Sequence, residues 1–134
     1  MKKIWITIPA VAMTVMTLAA ALAQPRIPLG TKDFMRQKME HAQKILEGLA
    51  LEDYDLIIAK SKKLSAMSQE ATWQVFQNPA YDQMSLDFRR TVDAITKAAQ
   101  KKNLDGATRA YGRMTASCVE CHKLVRGKLV ASVP

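Results

Sequence analysis

The chain has 134 residues, with 20 lysines and arginines against 12 aspartates and glutamates, a formal charge of +8. That is one domain's worth of chain. Its two cysteines are too few for a disulfide-built scaffold.

Met1, Lys2 and Lys3 open a positive region, Ile4 to Ala20 is almost wholly apolar or threonine, and Ala21-Leu22-Ala23 fits a small-x-small cleavage site. This predicts a secretory signal peptide over 1–23, cleaved after about Ala23, and a periplasmic location. The rival is an uncleaved anchor, since the apolar run is borderline for a span of about 20 residues. Pro9, the threonines and the alanine-rich end favour cleavage. An exported basic domain whose lysines are not interleaved with aromatics is expected to have no nucleic-acid partner. Its charge is better suited to steering acidic proteins.

Residues 24–30, "QPRIPLG", read as an extended lead-in, and 31–134 as one helical domain. Helix 1 is expected from about Lys32 to Ala50 with Thr31 as its cap. Phe34, Met35, Met39, Ala42, Ile45, Leu46 and Leu49 form one apolar arc, opposite Arg36, Glu40, Gln43 and Glu47. Lys38 falls inside that arc, where its stem is expected to pack while its amine reaches solvent.

Residues 51–53 make a short connection capped by Asp53. Helix 2 carries Tyr54, Leu56, Ile57, Ile58, Leu64 and Met67, and runs to about Gln77 or breaks near Ser68. Asn78-Pro79 is expected to end it, with a loose connection through about Gln83. Helix 3 is expected over about Met84 to Lys102, its last lysines at the negative end of the helix dipole. Asn103-Leu104 then turns the chain, and Asp105 caps a helix 4 running to about Arg126, with 127–134 frayed. Trp73, Phe76, Phe88 and Tyr111 are expected in the core or at a cofactor edge. Short first and third connections give an all-α, antiparallel four-helix bundle.

Both cysteines and one of the two histidines fall in "CVECH": Cys118, Cys121 and His122. C-x-x-C-H is the attachment sequence for c-type haem. On a helix these positions share one face. Two thiols so spaced can add to the two vinyl groups of one porphyrin, and the adjacent imidazole then reaches the iron as its proximal ligand. A redox disulfide is the first rival, but it wants a cysteine at a helix start after a strand, and "ATRAYGRMTAS" precedes Cys118 instead. Zinc wants four ligands, and only His41 is left to join. The expectation is one covalent haem c on the C-terminal helix.

A haem motif on the last helix of an exported four-helix bundle resembles the class II c-type cytochromes, the cytochrome c′ and c-556 group. In residues the resemblance is carried by "CVECHKLVR": Cys118, Cys121, His122 and the basic Arg126 four positions on. The group often has an aromatic before the basic residue, where this chain has Val125. The resemblance implies a partly exposed proximal histidine with Arg126 beside it as a charge tuning the haem. It also implies that the group over the other iron face comes from helix 1. An apolar residue there leaves an iron open to small gases, and a methionine makes a six-coordinate electron carrier.

Aligning Phe34 with the aromatic near the start of that helix puts Met39 at about that site, with Met35 a further candidate. His41 is the rival ligand, and imidazole would bind iron more strongly and lower the potential. At about 100° per residue, Met39 and His41 project about 200° apart, so both cannot ligate. Methionine on an apolar face is also ordinary core filler, which would leave no protein ligand at all.

These residues point to a monohaem carrier of single electrons in the periplasm. It would meet acidic redox partners through Lys123, Arg126 and Lys128. The alternative is a protein that binds nitric oxide or carbon monoxide at an open or displaceable iron site, and a third is a structural subunit of a larger redox complex. The resemblance also implies a homodimer. No paired carboxylates, nucleophile triad or phosphate loop stands out, so no catalytic activity is expected.

Overall fold

The computed structural model describes residues 30–131. The expected signal peptide and nearly all of the lead-in lie outside these residues. Four α-helices follow one another: α1 Thr31–Leu51, α2 Tyr54–Met67, α3 Pro79–Gln100 and α4 Leu104–Ala131, with a single 3-10 turn, Ala71–Trp73, between α2 and α3. They form a four-helix bundle, with no strand among the described residues.

Local chemistry explains the boundaries. Asp53 caps α2, its carboxylate accepting the Leu56 N–H at 2.9 Å. The preceding turn is tight because Gly48 lets α2 come close. A Cβ there would lie 2.8 Å from Ile57 Cγ1 and 3.1 Å from the Asp53 carbonyl. The α2 helix ends at Ser68, the earlier of the two expected stops.

Asn78-Pro79 starts a helix instead of preceding a loose connection. Asn78 Oδ1 accepts the N–H groups of Ala80 and Tyr81 at 2.8 and 3.3 Å, and Pro79 occupies the first turn. Proline there needs no N–H partner, which makes Asn-Pro as good a start as a stop. Gly30, not Thr31, is the N-cap of α1. At the fourth helix Asn103 takes the capping part expected of Asp105, accepting the Gly106 N–H at 2.8 Å. The α4 helix runs on past Arg126 to Ala131, beyond the expected fray point.

Ile45, Ile57, Leu64, Val92, Ile95 and Ala107 are wholly buried along the bundle axis. Within that core Ser61 and Thr96 satisfy each other across α2 and α3 at 2.7 Å. Helices adjacent in sequence pack closely, but α1 and α4 touch only lightly. That incomplete closure leaves a cleft between the first and last helices.

Candidate functional site

The α4 helix carries Cys118, Cys121 and His122 along its side of the cleft, and both thiols are free and half-buried. The cleft has two lobes, of about 260 and 520 Å³. Lys32, Met35, Lys38 and His122 line both and so form the wall between them. Cys121 opens into the smaller lobe, with Trp73, Val75, Phe76, Tyr81 and Val125. Cys118 opens into the larger, with Leu64, Phe88, Tyr111, Met114 and Val119.

No carboxylate lines either lobe. The space is of the size of ligand sites, roughly 300–1,000 Å³. A flat, mostly apolar macrocycle fits such a cleft, with one thiol on each side and an imidazole on the dividing wall. Cys118, Cys121 and His122 are the residues that would hold it.

Electrostatics agree with that use. Burial pushes both thiols above their usual range, with the Lys38 charge pulling them back. Neither is shifted toward the thiolate that a redox pair uses. Burial, then the charges of Lys38 and Arg126, lower the pKa of His122 and favour the neutral imidazole that binds metals. Among the described residues no three His, Cys, Asp or Glu side chains gather as a metal-ion site.

The expected second ligands are placed unequally. Met35 is half-buried and lines both lobes, while Met39 sits at the rim of the larger lobe, 59% exposed. His41 lines neither lobe. It lies near Lys60 and Lys63 of α2, and burial followed by Lys60 lowers its pKa. Its Nδ1 is buried without a partner among the described residues. Arg126 is exposed and near enough to act on His122. Lys123 is held at 2.8 Å by Glu120.

Lys38 departs from expectation. Its side chain does not reach solvent. It is 8% exposed, and its Nζ lies 3.7 Å from the Trp73 ring centroid and 4.3 Å from that of Phe88. The two rings stand 5.0 Å apart, so each offers the amine a face. Burial lowers its pKa, while Cys118 and Cys121 raise it. Among the described residues no carboxylate pairs with it. A lysine inside the apolar arc of helix 1 was the one visible signal of this arrangement.

Aromatic and polar contacts brace the cleft. Trp73 packs edge-on to Phe34. The Tyr111 hydroxyl donates to the Ala42 carbonyl at 3.2 Å and joins α4 to α1 beside the larger lobe.

The family model described as Cytochrome C' matches residues 7–126. No curated protein and no solved structure matches the chain. With a match over most of its length, four helices in a bundle, and the C-x-x-C-H motif opening onto a cleft between the first and last of them, the chain belongs to the cytochrome c′ family.

Proposed function

We propose that this haem-binding c-type cytochrome carries single electrons between proteins of the periplasm, with one haem held by thioether bonds from Cys118 and Cys121 and by His122 on the iron. The haem, when bound, supplies a one-electron couple. The chain's residues do the rest. The apolar walls of the cleft keep water from the macrocycle, and Trp73 and Phe88 pack its interior. Arg126 biases the potential through its charge near His122.

The observation that carries this reading is the apolar cleft with a thiol opening into each lobe and no carboxylate in its lining. Such a space suits a buried, mostly apolar cofactor. Lys123, Arg126 and Lys128 are exposed on the same helix and form a positive face for acidic redox partners in weak, salt-sensitive encounters. Export through a cleaved leader over 1–23 agrees with haem attachment outside the cytoplasm. No helix among the described residues is long and apolar enough to cross a membrane.

The second reading, reversible binding of nitric oxide or carbon monoxide, is favoured by the 59% exposure of Met39, which leaves that candidate ligand at the rim. Absorption spectra of the exported protein, oxidised, reduced, and reduced under carbon monoxide, separate the two. A low-spin spectrum untouched by carbon monoxide supports electron transfer. A high-spin spectrum that shifts supports gas binding. Absence of covalent haem overturns both.

A further inference from the structure

We propose that Lys38 would supply a second side-chain ligand to the haem iron, together with His122. The inference rests on the haem-cytochrome reading above and names the group that α1 brings to that site.

Lys38 stands on α1, the helix across the cleft from the cysteine motif, and it shares the wall between the two lobes with His122. Its side chain lines the same two lobes into which Cys118, Cys121 and His122 open. A lysine amine normally reaches water at the end of its long stem. This one is 8% exposed and unpaired with any carboxylate among the described residues, lying on the faces of Trp73 and Phe88.

Burying a cation without an ionic partner is costly, and a built-in metal partner removes the cost. The chemistry balances simply: the ammonium gives one proton to water, the freed lone pair forms an iron–nitrogen bond, and no electron is transferred. Two other donors of α1 are less well placed. Met39 is 59% exposed, and His41 lines neither lobe. Met35 reaches both lobes and is the donor the test must separate from Lys38.

The test is spin state in the ferric holoprotein, read by absorption and low-temperature electron paramagnetic resonance. Mass and circular dichroism establish one covalent haem and native helix content in every variant. The wild type is expected to be low-spin, without the weak far-red band of thioether ligation. Lys38→Ala and Lys38→Arg are both expected to lose the low-spin signal. Arginine keeps the positive charge and the aromatic stacking but does not bind iron, so it separates ligation from packing and remains informative if the alanine variant fails to fold.

A high-spin wild type overturns the proposal. So does a low-spin signal that persists in Lys38→Arg, or one lost only in Met35→Leu or Met39→Ala. If the wild type itself carries no covalent haem, the underlying cytochrome reading fails as well, and that outcome is distinct from every ligand result.

Discussion

The Trp73 indole N–H donates to Ser85 Oγ at 2.9 Å, and this one buried bond ties the segment after α2 to the first turns of α3. Ser85 is itself held by donating to the Tyr81 carbonyl at 2.9 Å. Ser85→Ala leaves the indole donor buried and unpaired, at a cost of about 1–3 kcal/mol. The urea midpoint should fall by that free energy divided by the m-value, with the slope unchanged. A midpoint equal to wild type would mean that Trp73 is held by its ring contacts and by Tyr81.

Tyr81 sits on the same anchor, its hydroxyl donating to the Trp73 carbonyl. Burial above all pushes its pKa up from 10.0 to about 12. Between those values the folded tyrosine keeps a proton that the unfolded one has lost. Its contribution is therefore whole below pH 10 and lost as the pH rises through about 12. Urea unfolding of the holoprotein should show stability falling over that interval, and Tyr81→Phe should flatten the fall. Equal slopes in the two proteins would contradict this origin.

Gly48 sets how closely α1 and α2 meet. Alanine would gain about 1 kcal/mol in helix propensity. Its Cβ, however, would press on Ile57 Cγ1 at 2.8 Å and on the Asp53 carbonyl at 3.1 Å. Overpacking of that kind costs about 1–3 kcal/mol. Gly48→Ala should therefore lower the melting temperature, and a more stable variant would show that the α1–α2 turn can open.

Lys123, Arg126 and Lys128 follow the haem motif on exposed turns of α4. Changing all three to glutamate should slow electron exchange with an acidic partner at low salt. The difference should shrink at about 0.1 M salt, where the screening length is about 10 Å. Lys101 and Lys102, at the far end of α3, make a control for charge alone. Equal slowing from that pair would remove the docking face.

Much of the fold was legible because helix signals are local. The Asp53 cap and most of the apolar arc of α1 depend on side chains within a turn or two of each other, although Met39 and Leu46, counted in that arc, are exposed, and the break near Ser68 was one of two stops the sequence allowed. The errors were also local, at residues with two uses. Asn78-Pro79 ends or begins a helix according to which side packs, and Asn103 competes with Asp105 for one cap. In both places the bundle selected between chemically equivalent options.

The "CVECH" spacing was enough to put two thiols and an imidazole on one helical face, since that follows from helix geometry alone. The second group at the cleft was not legible in that way. Met39, Met35, His41 and Lys38 all lie within two turns of one helix, and helical phase ranks them poorly. The ranking came from the other elements. Trp73 and Phe88, brought together from the loop and from α3, offer two ring faces where α1 passes, and they hold the Lys38 amine inside. The packing of α1 against α2 leaves His41 beside Lys60 and Lys63. Periodicity tells a residue which side of its own helix it occupies. What it meets there depends on where distant segments set their rings and charges, and only the packed bundle decides that.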